Sequence, residues 1–239
     1  MTAGYDTGYA PETWAFDEEV TRVFEDMLAR SIPDYLTMRE LVWRVGRQLL
    51  GATPENALVV DLGCSVGGSM APYASAGIEV IGVDESGPML KTARERFANL
   101  PNAHIAEYNL RDGLLPALKN SSPTLYLSIL TAMFLPIQAR QALIGEVYAS
   151  LAPGGALILV EKILGPSPAI DSLMVRSYYD MKREHGYSDE EIERKRLSLQ
   201  DVLIPLTTAG NEEMLADAGF GEMSRVWQWM NFAGWIAIK

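Results

Sequence analysis

The sequence predicts a doubly wound α/β domain built on a mostly parallel, seven-stranded sheet. Three observations favour this fold. Apolar strand-like runs alternate with helical patterns, two of those runs end on an acid, and two closing strand-like runs cover residues 224–229 and 233–239. The short gap between the closing runs predicts a hairpin at the end of the sequence. A length of 239 residues with 48% hydrophobic residues suits one such domain with a complete core.

The first fifty residues are predicted to differ from the domain that follows, with the division at residues 1–50 and 51–239. Residues 1–12 are rich in Gly, Tyr, Thr and Pro and predict an arm. Helix-spaced apolar side chains then predict a helix that starts near Phe16, Pro33 interrupts it, and a second amphipathic helix covers residues 36–50. These two helices form either a lid over a ligand crevice or padding for the sheet, and the pattern leaves both open.

The first predicted strand ends in a glycine-rich turn. The apolar run at residues 58–60 is typical of a strand buried on both faces, and it ends on Asp61. Three glycines follow, which are Gly63, Gly67 and Gly68. They allow a tight turn close to a ligand, and a helix should open near Val66 with its N–H groups facing that ligand. Ser65 replaces the middle glycine of a dinucleotide fingerprint, so a merely tight turn stays an alternative.

The second predicted strand, residues 79–83, ends on Asp84. This acid follows the glycines by about 20 residues, the spacing of a carboxylate that accepts the hydrogens of ribose hydroxyls. A solvated acid at the end of a strand is the alternative.

The remaining elements continue the alternation. Ser86 is a predicted N-cap, and Ser188 begins a capping-box match. The further strands cover residues 104–108, 125–129 and 156–160, and the further helical stretches cover residues 138–151, 170–200 and 211–218. The helical stretch at residues 170–200 belongs to an insertion at 168–202, which is a natural place for substrate selectivity. Ligands of such sheets bind outside the carboxyl ends of the strands. Gly63, Asp84, Asn109, Ser128 and Glu161 are expected to converge there.

Composition narrows the class of partner. A formal net charge of −11 disfavours direct binding of nucleic acid and favours a small molecule. Cys64 is the single cysteine, so no internal disulfide can form, and this fits a cytoplasmic location. No apolar run has the length of a membrane span, no signal peptide is visible, and we expect no metal.

Six short motifs, spread in a consistent order along nearly the whole chain, match one protein family. They are Trp14-x-Phe16-Asp17-Glu18, Arg30-Ser31-x-Pro33-x-Tyr35, Asp61-Leu62-Gly63-Cys64-Ser65, Gly186-Tyr187-Ser188, Lys195-Arg196 and Trp227-Gln228-x-x-Asn231-Phe232. Together they resemble the carboxy-S-adenosyl-L-methionine synthase family, within the class I S-adenosylmethionine (SAM)-dependent methyltransferase superfamily.

The resemblance implies a homodimeric enzyme that converts SAM and prephenate to carboxy-SAM and phenylpyruvate. A partner enzyme then uses carboxy-SAM to make 5-carboxymethoxyuridine at the tRNA wobble position. The ligand-binding residues that the resemblance implies are Tyr35, Gly63, Cys64, Ser65, Asp84, Glu85, Asn109, Leu110, Ser128 and Arg196. Tyr35 and Arg196 are the implied catalytic residues.

Recognition of the carboxylate that distinguishes carboxy-SAM from SAM depends on Arg196 in this hypothesis. A guanidinium can pair with the planar carboxylate of carboxy-SAM through two parallel hydrogen bonds. Charge spacing alone would instead place Arg196 on a solvated helix face. In the implied reaction, the ylide beside the sulfonium traps carbon dioxide from prephenate while the closed site excludes water. Arg183 and Arg194 are weaker candidates for the substrate carboxylates, and no general base is evident because His185 is expected at the surface.

Two departures from the family and two other functions stay open. Asn109 replaces an acid, although its amide oxygen can accept from an adenine amino group, and Ser128 stands near where an asparagine is expected. Cys64 is expected to be a small filler rather than a nucleophile.

Two other functions would use the same scaffold. One is an ordinary methyltransferase that acts on a small molecule, and the other is a nucleoside carrier without turnover.

Overall fold

An eight-stranded sheet organises the fold in the computed structural model, which describes residues 14–239. The predicted arm at residues 1–12 lies outside the described residues. The strands are β1 (Leu58–Leu62), β2 (Glu79–Asp84), β3 (Ala103–Glu107), β4 (Leu125–Ile129), β5 (Ala156–Leu164), β6 (Leu206–Thr207), β7 (Glu222–Trp229) and β8 (Phe232–Ile238). The helices are α1 (Glu18–Ser31), α2 (Tyr35–Leu49), α3 (Ala71–Ser75), α4 (Gly87–Arg96), α5 (Ile137–Ser150), α6 (Pro168–Glu184), α7 (Asp189–Ser198) and α8 (Thr208–Ala218).

The strand order is β3-β2-β1-β4-β5-β8-β7. The first five strands pair in parallel, β8 runs antiparallel to β5, and β7 closes a hairpin with β8. The predicted doubly wound sheet and terminal hairpin are therefore confirmed. The additional strand, β6, is two residues long and pairs with the end of β5, and so short a strand has no periodic signal in the sequence.

Two apolar layers cover the two faces of the sheet. One contains α5 and α8, represented by Ile144 and Leu215, and the other contains α2, α3 and α4, represented by Met38 and Leu90. Central strand residues such as Leu127 are fully buried between these layers, which explains why β1, β4 and β5 are continuous apolar runs.

The first two helices have different positions. α1 ends at Ser31 and α2 begins at Tyr35, with the predicted break at Pro33 between them. α1 buries Phe24 and Met27 against the glycine loop and α4, whereas α2 packs Met38 against the sheet layer. Thus α1 covers the carboxyl ends of the strands, and α2 mainly pads the sheet.

The helix expected to open near Val66 begins later. Residues 65–70 form turns, and α3 covers only Ala71–Ser75. Gly67 has a φ of 79°, in the left-handed region that a right-handed helix cannot include, so the helix starts beyond it. The backbone that faces the crevice is therefore a glycine loop rather than a helix end. Among residues 14–239, no helix is both long and apolar enough to cross a membrane.

Candidate active site

A crevice with about 1490 Å³ of empty space, its mouth included, lies at the carboxyl ends of the parallel strands. Its floor comes from the segments that follow β1, β2, β3 and β4, and its walls come from α1, α2, α6 and α7.

The glycine loop brings bare backbone to the crevice. Gly63 has a φ of 74°, and a Cβ added there would collide with the Thr131 side chain. The amides of Gly63 and Cys64 both donate to the Val83 carbonyl, at 2.7 and 3.0 Å, which fixes the loop to the end of β2. A ligand can therefore approach the backbone where a side chain would block it.

Asp84 is held between two backbone donors. Its Oδ2 accepts from the Ser65 amide and its Oδ1 from the Ser86 amide, both at 2.9 Å. Burial raises the pKa of the Asp84 carboxyl, and these backbone donors oppose that shift. Each carboxylate oxygen keeps a further lone pair, so the group can accept hydrogen bonds from two adjacent hydroxyls.

The segment after β3 forms the next wall. Asn109 Oδ1 accepts from the Arg111 amide at 2.9 Å, and Glu85 Oε1 pairs with Arg111 Nη1 at 3.1 Å. Leu110 is buried and lines the crevice beside them. The amide oxygen of Asn109 is thus partly engaged, which leaves one lone pair for a ligand.

An arginine that the sequence did not single out links α2 to the glycine loop. Arg39 Nη1 donates to the Tyr35 hydroxyl at 2.8 Å, and Arg39 Nη2 donates to the Gly68 carbonyl. Burial raises the pKa of Asp61 to about 7, and the charge of Arg39 opposes that rise. Asp61 Oδ2 is buried without a hydrogen-bond partner in the described part of the chain. Tyr35 lines the crevice, and burial raises its pKa.

Four aromatic side chains cover the crevice; we call Trp14, Phe16, Phe24 and Phe134 the aromatic lid. The Phe16 ring meets the other three edge-on, at centroid distances of 5.8, 6.2 and 5.4 Å. Ser86 Oγ donates to the Phe16 carbonyl at 2.6 Å, and Ser86 is also the residue whose amide holds Asp84. The aromatic lid is therefore fixed to the polar site beneath it and can exclude water.

Known proteins are similar to this chain over nearly its whole length. A methyltransferase domain family matches residues 59–155. The carboxy-S-adenosyl-L-methionine synthase of Methylococcus capsulatus is 34% identical over 95% of this chain and 94% of its own length. The synthase of Wolinella succinogenes is 37% identical over 94% of this chain and 92% of its own length. The chain belongs to the carboxy-S-adenosyl-L-methionine synthase family.

The family explains both the fold and the ligand class. A solved phosphoethanolamine N-methyltransferase 2 of Haemonchus contortus, with S-adenosylhomocysteine bound, has a TM-score of 0.63 at 15% identity. The match covers 94% of this chain and 58% of that one. At this identity the likeness shows the fold alone. Membership of the synthase family makes this protein a transferase that uses SAM.

Arg196 lies outside the crevice of its own chain. Its Nε and Nη2 donate to the two carboxylate oxygens of Glu193, at 2.8 and 2.6 Å, on a half-exposed face of α7. The preceding residue, Lys195, lines the crevice instead, with its Nζ 3.1 Å from the centroid of the Trp14 ring. Successive helix residues point about 100° apart, so one of this pair faces inward and the other outward.

The other cationic and basic candidates also lie outside. Arg183 pairs with Asp180 and Asp189 at the surface, and Arg194 does not line the crevice. His185 Nδ1 makes a hydrogen bond of 2.8 Å with the Arg30 carbonyl, away from the crevice lining. His185 therefore has the surface position that the sequence predicts.

Two of the five strand-end residues expected to converge lie beneath the crevice. Ser128 and Glu161 are buried in the sheet, and Ile129 and Leu130 line the crevice at the end of β4 in place of Ser128. Side chains alternate between the two faces of a strand, so a shift of one residue changes which side chain faces the ligand. Glu161 lies near the buried Arg140, and burial raises the pKa of Glu161 to about 8.

Three lysines add positive charge to that of Arg39 and Arg111 inside the crevice. Lys162, Lys182 and Lys195 all line it. The sequence analysis quoted Lys195 as part of the Lys195-Arg196 motif and assigned a ligand-binding role to none of the three. The signal available for Lys162 was its position directly after Glu161 at a strand end.

Cys64 is buried in the glycine loop, and burial raises the pKa of its thiol well above the usual range, so the reactive thiolate is disfavoured. Among residues 14–239, no cluster of His, Cys, Asp or Glu could hold a metal ion.

Proposed function

We propose that this protein converts SAM and prephenate to carboxy-SAM and phenylpyruvate. The observation that carries the proposal is the 34–37% identity to carboxy-S-adenosyl-L-methionine synthases over 94–95% of the chain. That coverage includes α1, α6 and α7, which form the walls of the crevice outside the shared methyltransferase sheet.

In this proposal the nucleoside of SAM lies over β1, β2 and β3. Asp84 accepts from the two ribose hydroxyls, because each of its oxygens has a lone pair left. Asn109 and Leu110 contact the adenine, and Glu85 lies beside it. The backbone of Gly63, Cys64 and Ser65, together with Tyr35, borders the amino-acid part of SAM.

The proposed reaction balances without an external base. SAM loses one proton from its sulfonium methyl, and prephenate loses its ring carboxylate as carbon dioxide and its ring hydroxyl as water. The proton from the methyl group completes that water. A carbon–carbon bond between the methyl carbon and carbon dioxide then gives carboxy-SAM, and the aromatised remainder of prephenate is phenylpyruvate. The chain's own residues bind, orient and exclude water in this scheme, and within residues 14–239 no histidine lines the crevice.

The aromatic lid supports this scheme because carbon dioxide has to be trapped before it escapes. Phe16 joins the lid to Ser86 and hence to Asp84, so the position of the lid depends on the same segment that holds the nucleoside.

We also propose a division of the chain into an N-terminal segment, residues 1–50, and a SAM-binding domain, residues 51–239, with a helical insertion at 168–202.

Arg196 enters the proposal through a homodimer. α6 and α7 each carry an exposed large apolar side chain, Leu173 and Leu197, and the Arg196 side chain on α7 is half-exposed. Apolar side chains grouped on a surface are typical of protein interfaces. A second copy packed on α6 and α7 would bury them, and Arg196 could exchange Glu193 for a carboxylate of the partner's ligand.

The proposal places carboxy-SAM upstream of tRNA modification in the cytoplasm. A net charge of −11 agrees with an enzyme that hands on a small molecule and leaves tRNA to a partner enzyme.

The test is incubation of the purified protein with SAM and prephenate, followed by mass spectrometry and a spectrophotometric assay of phenylpyruvate. We expect carboxy-SAM and phenylpyruvate in equal amounts. S-adenosylhomocysteine with a methylated acceptor would indicate an ordinary methyltransferase. Bound SAM without consumption of prephenate would indicate a carrier, and either result would overturn the proposal.

A further inference from the structure

Lys162 lies at the end of β5, away from β2 and β3, whose carboxyl ends carry the nucleoside in the proposed function. We call this part of the crevice the substrate compartment and define it by Ile32, Leu130, Lys162, Tyr178, Lys182 and Phe232, all of which line the crevice. Lys162 stands at the carboxyl end of β5, opposite Phe232 of β8, and cross-strand neighbours point to the same face. Its Nζ lies 5.0 Å from the centroid of the Tyr178 ring.

The ammonium of Lys162 has no carboxylate partner in the described part of the chain. The acid that most influences it is Asp171, whose Oδ1 accepts from the Gly165 amide at 2.7 Å. Burial lowers the pKa of Lys162 to about 8, because the surroundings disfavour the charged form. Lys182 Nζ lies 5.9 Å from the same Tyr178 ring, so a second cation borders the compartment. A half-buried ammonium in an aromatic pocket is best compensated by an anion from a ligand.

The position of Lys162 assigns that anion to the second substrate. The proposed function assigns the ribose and adenine to the ends of β2 and β3, on the far side of β1, whereas β4 separates β1 from β5. Neighbouring strands are about 4.8 Å apart, so Lys162 is about 10 Å from β1 and about 15 Å from Asp84 across the sheet. Tyr178 and Phe232, 5.5 Å apart between ring centroids, provide apolar surface for a six-membered ring next to the ammonium.

Decarboxylation decides which carboxylate of a dicarboxylate Lys162 can hold. A carboxylate that leaves as carbon dioxide loses its charge, so a cation paired with it would stabilise the reactant more than the transition state. A carboxylate that the product retains keeps its charge throughout, and a cation can hold it without opposing the reaction.

We propose that Lys162 binds the retained 2-oxo carboxylate of the second substrate, with the six-membered ring packed against Tyr178 and Phe232. This inference rests on the proposed function, because it takes prephenate as that substrate. It makes Lys162 a specificity-determining residue for the dicarboxylate and leaves SAM binding to the other half of the crevice.

The experiment compares Lys162→Met and Lys162→Arg with the wild type and with Lys91→Met, an exposed control on α4. We measure kcat and KM for prephenate, KM for SAM, and the binding of phenylpyruvate by calorimetry. For Lys162→Met we expect KM for prephenate and Kd for phenylpyruvate to rise roughly 10- to 100-fold, as for the loss of a charged hydrogen bond. KM for SAM should change by less than about twofold, and the Lys91→Met variant should match the wild type.

The pH profile separates binding from a merely structural role. The wild type should lose affinity for phenylpyruvate as pH rises through about 8, where Lys162 loses its proton, whereas Lys162→Arg should keep its affinity. The other ionisable groups of the substrate compartment are Tyr178 and Lys182, Tyr35 lines the same crevice, and Asp171 is the acid whose charge acts on Lys162. Because these groups are unchanged in Lys162→Arg, a difference between the two profiles belongs to Lys162.

Two results would overturn the inference. One is an unchanged phenylpyruvate affinity in Lys162→Met, and the other is an equal loss of SAM and phenylpyruvate binding, which would make the residue structural. Failure of the proposed function has a different signature, because the wild type would then consume no prephenate. Phenylpyruvate binding that depends on Lys162 would still support the carboxylate site in that case.

Discussion

Replacement of Asp84 by alanine should abolish most SAM binding. The wild-type carboxylate has one free lone pair on each oxygen, and we assign these to the two ribose hydroxyls. Hydrogen bonds to a charged group contribute about 1.5–3 kcal/mol each, so the loss is about 3–6 kcal/mol. At about 1.4 kcal/mol per factor of ten, Asp84→Ala should bind SAM roughly 100- to 10,000-fold more weakly.

Calorimetry with SAM measures this loss directly, and Asp180→Ala is the matched control. Asp180 is an exposed acid that pairs with Arg183 on α6, outside the crevice lining, so its removal should leave SAM affinity unchanged. Asp84→Ala also removes the acceptor of the Ser65 and Ser86 amides, and a thermal unfolding scan shows whether the loop still folds. A folded Asp84→Ala variant whose SAM affinity is within threefold of the wild type would refute the assignment of Asp84 to the ribose.

Three further predictions concern selectivity, pH and the glycine loop. Arg196→Met should lose the preference for carboxy-SAM over SAM while SAM affinity stays nearly constant in calorimetry; equal loss of both ligands would make Arg196 structural. Burial raises the pKa of Glu161 from 4.5 to about 8, so its contribution to the free energy of unfolding is complete below pH 4.5 and is lost as pH rises through 8. Urea unfolding should show this decline in the wild type but a weaker one in Glu161→Gln, and identical slopes would contradict it. Gly63→Ala forces a Cβ into Thr131 at a left-handed φ and should lower both Tm and SAM affinity, whereas a wild-type affinity would argue against close approach of the ligand.

The sequence predicted those parts of the fold and site that depend on local order. Asp61 and Asp84 each end an apolar run, and the carboxyl ends of neighbouring parallel strands meet at one edge, so their positions followed from the pattern. The start of α3 did not follow, because only the backbone shows that Gly67 adopts a left-handed conformation. For β6, two residues held by the end of β5 contain too little pattern to predict a strand.

The cationic part of the site depends on packing that the sequence does not encode locally. α7 carries acids and bases on all sides, so the pattern could not tell that Lys195, rather than Arg196, faces the crevice. Ser128 was expected at the ligand, but strand alternation and the bend after β4 put Leu130 there instead. The position of Lys162 in the crevice depends on Phe232 of β8 and Tyr178 of α6, which are distant from it in sequence and pack around it only in the fold.

The central claim is that this crevice makes and holds a carboxylated sulfonium. Mass spectrometry of the ligand extracted from the purified protein tests it most directly. We expect a species heavier than SAM by one carbon dioxide, with phenylpyruvate formed when prephenate is supplied. Recovery of unmodified SAM alone, both before and after incubation with prephenate, would contradict it.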